Sequence, residues 1–143
     1  MDKGTYRSVP VRVGAFHPCQ PYEVPIKMER LMLDYAGDMQ HLHVIERAAL
    51  FHLMFETIHP FIDGNGRVGR LLLNLELMKA GYPPINIKFS DVRKYYDCFD
   101  HYRTNVNDTS KMTELVSRYT ITELLRYIEI AEQSDMLRNG SYT

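Results

Sequence analysis

Residues 59–70 read HPFIDGNGRVGR, and the order of residues in this stretch decides how the chain is organised. Its three glycines, Gly64, Gly66 and Gly69, form a literal G-x-G-x-x-G pattern, which is typical of loops that bind the pyrophosphate of a dinucleotide. His59 lies five residues before the first glycine, and Asp63 directly precedes it. These extra ionisable residues indicate chemistry beyond that of a cofactor-binding turn.

The segments on either side of this stretch predict helices. Apolar residues recur at three- and four-residue spacing over residues 44–58, which predicts a helix that Pro60 ends. A second helix is predicted from near Gly66 to Gly81. A dinucleotide loop requires a strand before its first glycine, so the helical pattern argues against that interpretation. An alternating segment keeps it open, namely Ile85, Ile87 and Phe89 followed by Asp91.

The rest of the sequence predicts one all-α domain, residues 1–143. Three further helices are expected at about residues 24–36, 90–103 and 112–131, the second with Ser90 as its N-cap and the third followed by a polar, frayed end. Residues 6–14 alternate instead, with Arg7 and three valines on one face, and predict a short β-hairpin or edge strand because Pro10 cannot donate a ladder hydrogen bond.

The composition excludes several function classes. A net charge of −1 gives no reason to expect nucleic acid or an anionic membrane as a partner. The two cysteines do not make a disulfide framework or a zinc site. The N-terminus lacks the apolar core of a signal peptide, and no apolar run approaches the roughly 20 residues of a membrane span. We therefore expect a cytoplasmic protein.

The glycines and arginines of the central stretch form a site suited to phosphate. Residues 64–66 begin the predicted helix, so backbone N–H groups and the positive end of the helix dipole are available to an anion. Arg67 and Arg70 lie three residues apart and project near one another. Two guanidinium groups at such a site suit the oxygens of a di- or triphosphate.

The two residues that the glycine pattern ignores add a metal ligand and a base. Asp63 would repel a bare phosphate, but a bridging Mg²⁺ turns that repulsion into attraction. His59 is a titratable group close to the phosphates, suited to accept a proton from an incoming hydroxyl. Together these residues predict transfer of a phosphorus-centred group to an acceptor.

Residues 59–70 match the signature H-P-F-x-[D/E]-G-N-G-R-x-x-R throughout, and the chain therefore resembles the Fic family. The resemblance extends over roughly residues 4–105. It includes GTYRSVPVRVG, which is similar to the strand-like flap of Fic domains, the AGYPP segment after the helix, and the tyrosine pair in RKYYDCF.

The resemblance implies a Fic-type helical bundle that transfers AMP from ATP to a Ser, Thr or Tyr hydroxyl of a target protein. It divides the chain into a flap region (1–22), a catalytic loop (59–70) and a C-terminal helix and tail (110–143). In the loop, His59 would be the base and Asp63 the Mg²⁺ ligand. The implied nucleotide-binding residues are Gly64, Asn65 and Gly66 with the phosphates, Arg67 with the β-phosphate, Arg70 with the γ-phosphate, and Tyr95 and Tyr96 near the base. The alternative partner of Arg70 is the glutamate of an inhibitory helix.

The flap residues Val9, Pro10 and Val11 would bind an extended segment of the target by strand addition. Self-modification is also open, since ten tyrosines are available. Transfer of UMP, removal of AMP, and a nucleotide-binding module without turnover remain alternatives.

Three departures from the family pattern concern control and base recognition. Residues 134–139 have the spacing of an inhibitory motif, but Arg138 stands where its glutamate belongs and would repel Arg70. No inhibitory motif precedes the flap, so an inhibitory helix is expected from elsewhere, and upstream helices of a longer protein are expected to be missing. Arg103 replaces an asparagine that is frequent in the family near the base.

Overall fold

The computed structural model describes residues 4–140, which form five α-helices and three 3₁₀ turns. The all-α prediction is confirmed. The α-helices are α1 (Val24–Ala36), α2 (Val44–Ile58), α3 (Asn65–Lys79), α4 (Val92–Thr104) and α5 (Ser110–Gly140). The 3₁₀ turns span Pro21–Glu23, Asp38–His41 and Phe89–Asp91.

The central element is α2, which packs against the other four helices: α1, α3, α4 and α5. Two apolar clusters lie on either side of it. One joins its Ala48 and Leu53 to α3, α4 and α5, and the other joins its Phe51 and Phe55 to α1. Because α2 is buried on both sides, its C-terminal end, where the functional stretch begins, is held in place by most of the core.

Helices α1 and α2 have the predicted bounds, whereas α4 and α5 differ. α4 begins at Val92, because residues 89–91 form a 3₁₀ turn and Asp91, not Ser90, is the N-cap. α5 continues to Gly140 instead of ending near residue 131. Its last turns contain Glu, Gln, Met, Leu and Arg, which favour helix, and contain no proline. No helix in the described part of the chain is long and apolar enough to cross a membrane.

The predicted N-terminal hairpin is reduced, among the described residues, to one antiparallel bridge. Val13 and Phe16 exchange two backbone hydrogen bonds, both 2.9 Å. The prediction that Arg7 and the valines share one face of a strand is also wrong, since Arg7 is 2% exposed and Val9 is 48% exposed. The physical reason is that Arg7 turns inward to the end of α2, and this draws the segment onto the helices instead of into a ladder.

Candidate active site

His59 terminates α2 in an unusual backbone conformation. Its φ of 53° and ψ of 63° lie in the left-handed region, and its N–H still donates to the carbonyl of Phe55. Pro60 follows, and a residue before proline disfavours the helical conformation. The reversal turns the chain sharply out of the helix, so the His59 ring lies at the border of a cleft instead of within the bundle.

The surroundings of the His59 ring define it as a neutral base. Its Nδ1 lies 3.3 Å from the carbonyl oxygen of Glu56, which can only accept a hydrogen bond, so Nδ1 is the donor. This leaves Nε2 as the basic nitrogen. Burial lowers the pKa of His59, the Glu56 carbonyl opposes that effect, and the charge of Arg7 lowers the pKa further. A neutral imidazole with a free Nε2 is the form that accepts a proton.

The loop after His59 is closed by a single buried side chain. The amide of Asn65 accepts a 2.9 Å hydrogen bond from the backbone N–H of Phe61 and donates one of 2.8 Å to its carbonyl. Asn65 is 2% exposed. With its side chain engaged in this way, Asn65 can offer an anion its backbone N–H. Gly64 precedes it at φ 86°, a conformation that favours glycine.

The first turn of α3 combines free helical N–H groups with two exposed arginines. The first N–H groups of a helix have no intrahelical acceptor. Arg67 lies beside Asp63, with Nη2 3.2 Å from Oδ2, and both side chains are largely exposed. Arg70 lies across Gly66, where a Cβ would meet its guanidinium at 3.1 Å. The predicted phosphate-binding groups are therefore at one helix start.

A cleft of about 200 Å³ opens beside this turn. It brings together residues from the N-terminal segment, the end of α2, α3 and α4, which are Val13, Glu56, His59, Gly66, Arg70, Tyr95, Tyr96, Phe99 and Arg103. Four of these come from α4. The cleft therefore combines a base, two arginines and an aromatic wall formed by Tyr95, Tyr96 and Phe99.

The aromatic wall is partly core and partly surface. Tyr95 is 5% exposed, and its hydroxyl lies 2.8 Å from Nε2 of His52. Tyr96 is 58% exposed. Arg103 stacks on the ring of Phe16, 4.1 Å from its centroid, and so connects the N-terminal segment to α4. The predicted base-binding pair is thus a buried ring and an exposed ring at the same cleft, with their centroids 5.5 Å apart.

The predicted flap residues are in the N-terminal segment, outside this wall. Val9 and Pro10 are exposed and Val11 is half-buried, while the segment borders the cleft through Val13. The carbonyl of Val9 accepts a 3.3 Å hydrogen bond from Arg7.

Sequence reasoning missed three residues of the site: Arg7, His52 and Glu56. Glu56 and His52 lie one and two helical turns before His59, and this spacing could have identified them as neighbours on one face of α2. Both contact Gly69, where a Cβ would lie 2.3 Å from Glu56 Oε1 and 3.0 Å from His52 Nδ1. The glycine is therefore needed for close packing of α3 on α2.

The described residues contain no group of three or more His, Cys, Asp or Glu side chains that could hold a metal ion. Asp63 is a single exposed carboxylate next to Arg67. Mg²⁺ commonly binds through one or two carboxylates together with substrate phosphates and water. The donor set at Asp63 fits an ion that arrives with a nucleotide.

Comparison with known proteins identifies the class. The model of the Fic/DOC family matches residues 1–77, and the chain belongs to this family. The structure is similar to that of a Fic domain-containing signalling protein from Bacteroides thetaiotaomicron, with a TM-score of 0.81 and 32% identity over 91% of this chain and 56% of that one.

Two curated relatives are named protein adenylyltransferases. The Caenorhabditis elegans protein adenylyltransferase fic-1 is 36% identical over 98% of this chain, and the Nematostella vectensis protein adenylyltransferase Fic is 38% identical over 90%. The matched regions are 28% and 30% of those relatives. The chain therefore spans less than a third of their length.

Proposed function

We propose that this chain is a protein adenylyltransferase, which transfers AMP from ATP to a hydroxyl side chain of a target protein. The observation that carries the proposal is the position of a neutral His59 at a cleft next to the arginine-rich start of α3. The curated relatives named protein adenylyltransferases support it.

The reaction begins with binding of the triphosphate at α3. The N–H groups of residues 64–66 and the guanidinium groups of Arg67 and Arg70 hold the phosphate oxygens. The nucleoside extends toward the wall formed by Tyr95 and Tyr96, where an aromatic ring can stack on the base. Nucleotide binding thus uses the start of α3 together with the aromatic wall of the cleft.

His59 then acts as the general base. Its Nε2 takes the proton of the target Ser, Thr or Tyr hydroxyl while that oxygen attacks the α-phosphorus. The bond between the α-phosphorus and the bridging oxygen breaks, and pyrophosphate leaves. The products are an AMP-modified side chain and a protonated His59, which returns its proton to solvent.

Asp63 would hold Mg²⁺ against the phosphates, where the ion neutralises charge on the leaving pyrophosphate. Its carboxylate is exposed and 3.2 Å from Arg67, so a metal–nucleotide complex can reach it without rearrangement of the core. The exposed residues Val9 and Pro10 would present the target segment to this site by backbone pairing.

The proposal is tested by incubating the protein with α-³²P-labelled ATP and Mg²⁺ in a cell lysate, followed by mass spectrometry of the labelled proteins. We expect label on a protein other than this chain, and none with His59→Ala. Label on this chain alone would identify self-modification. Equal labelling by His59→Ala would refute the assignment of the base.

A matched control is His17→Ala, since His17 is an exposed histidine of the N-terminal segment. The His17→Ala variant should label target proteins to the same extent as the unmodified protein. Parallel reactions with α-labelled UTP distinguish UMP transfer. Calorimetric binding of ATP without any labelled product would instead favour a nucleotide-binding module.

A further inference from the structure

Glu56 lies one helical turn before His59, and its side chain points to the same ring. Its Oε2 lies 3.6 Å from His59 Nδ1, and the two side chains are 11% and 18% exposed. The same residue therefore presents both a backbone carbonyl and a carboxyl group to Nδ1, which is the nitrogen that does not take the substrate proton.

The second oxygen of Glu56 is buried without a partner among the described residues. It lies against Gly69, at a point where a Cβ would be only 2.3 Å away. A buried carboxyl oxygen without a hydrogen bond is costly, and such groups in native proteins call for an explanation. The packing of α3 holds the carboxyl group so that Oε2 faces the His59 ring, and it leaves the other oxygen without a hydrogen bond.

We propose that Glu56 is a positioning residue, whose carboxylate stabilises the protonated ring of His59 as that ring accepts the proton of the target hydroxyl. The inference rests on the proposed function, since it assigns a role to Glu56 in the same proton transfer. Glu56 does not touch the reacting atoms, and the proton remains on Nε2 of His59.

The charge state of Glu56 depends on groups from every helix that packs on it. Burial raises the pKa of Glu56 to about 7, and the charge of Arg70 opposes that rise. The groups facing it are His52 and His59 from α2, Arg70 from α3, and Tyr95 from α4. Glu56 therefore loses its proton close to neutral pH, whereas the pKa of His59 is lowered.

The consequence is a rate that rises in two steps with pH. The first step is the loss of the proton from His59, after which the ring can act as a base. The second occurs near neutral pH, where Glu56 becomes an anion beside Nδ1 and favours the imidazolium that forms in the transition state.

NMR titration of His59 tests the coupling without any need for activity. We expect the ring signals of the unmodified protein to show a second inflection near pH 7, and Glu56→Gln, which keeps the shape of the side chain, to remove it. Glu129→Gln, at an exposed position on α5, should keep it. A single inflection in the unmodified protein would overturn the proposal, even if the variant failed to fold.

Initial rates of labelling by the same proteins between pH 5.5 and 8.5 give the second test. We expect Glu56→Gln to match the unmodified enzyme below pH 6 and to be about tenfold slower at pH 8. An equal decrease at every pH would mean that Glu56 is only structural, and would overturn the proposal. If no protein transfers label, the proposed function fails, while the titration still decides the role of Glu56.

Discussion

Arg7 and His59 are 52 residues apart in the sequence, yet Nε of Arg7 donates a 2.8 Å hydrogen bond to the carbonyl oxygen of His59. The same guanidinium donates to the carbonyls of Cys19 at 2.5 Å and Ile58 at 3.3 Å. The backbone N–H of Arg7 donates to the carbonyl of Pro60. These contacts hold His59 in the left-handed conformation, which is unfavourable for a residue other than glycine.

Arg7→Met should therefore destabilise the fold and impair the site together. The variant keeps an apolar stem but leaves buried carbonyls without donors, and we expect a loss of about 3 kcal/mol in the free energy of unfolding. Urea denaturation measures this loss. Arg12→Met, at an exposed position of the same segment, should change stability by less than about 0.5 kcal/mol. Equal effects of the two variants would contradict the role of Arg7.

Gly69→Ala and Gly66→Ala should separate stability from nucleotide binding. A Cβ at position 69 meets the half-buried Glu56 and the fully buried His52, so we expect a loss of about 2 kcal/mol or more. A Cβ at position 66 meets only the end of the flexible Arg70 side chain. Gly66→Ala should keep its melting temperature and bind ATP more weakly by calorimetry. The reverse pattern would contradict this assignment of the two glycines.

Local sequence signals explain which parts of the fold could be predicted. Gly37 follows α1 and Pro60 follows α2, so the ends of both helices could be predicted from backbone preferences. The order of residues 59–70 likewise predicted a single site, because groups so near in sequence remain near in space. The extra length of α5 was missed because its last turns show no regular apolar spacing, although most of their residues favour helix and none is proline.

Contacts between distant segments could not be predicted. Arg7 alternates with valines in the sequence, and only the folded chain shows that it turns inward to the end of α2. Asn65 illustrates a different limit. Its place in the motif indicates phosphate binding, whereas in the structure its side chain closes the loop on Phe61.

The shifted pKa values of His52 and Glu56 should make the free energy of unfolding depend on pH in opposite directions. Burial lowers the pKa of His52 to about 4, so its contribution is full above pH 6.5 and is lost as pH falls toward 4. Glu56, with a pKa raised to about 7, contributes fully below pH 4.5 and loses this contribution as pH rises toward 7. The contributions of His52 and Glu56 change in opposite directions between pH 4.5 and 6.5. The free energy of unfolding of the unmodified protein should therefore change little over this range.

Variants should reveal each slope. Stability of Glu56→Gln should increase with pH over that window, and stability of His52→Gln should decrease. Each slope should be at most about 1.4 kcal/mol per pH unit. Urea denaturation at pH 4.5, 5.5 and 6.5 measures them. Parallel pH profiles for the two variants would show that the pKa of neither residue is shifted by burial as described.

Asp63→Asn should have opposite effects on free ATP and on ATP bound to Mg²⁺. Asp63 lies 3.2 Å from Arg67 and directly precedes the predicted phosphate-binding residues 64–66. Without metal it repels the triphosphate and holds Arg67, so its removal should tighten ATP binding in EDTA by about threefold. With Mg²⁺ it is the predicted ligand, and its removal should weaken binding by about tenfold.

Calorimetry in EDTA and in Mg²⁺ measures both effects on the same protein. Asp34→Asn is the matched control, because Arg30 and Asp34 form an ion pair of the same four-residue spacing on α1, at 2.9 Å. That variant should bind ATP as the unmodified protein does under both conditions. Weaker binding of Asp63→Asn in EDTA as well as in Mg²⁺ would mean that Asp63 supports the loop itself, and its assignment as the metal ligand would then be wrong.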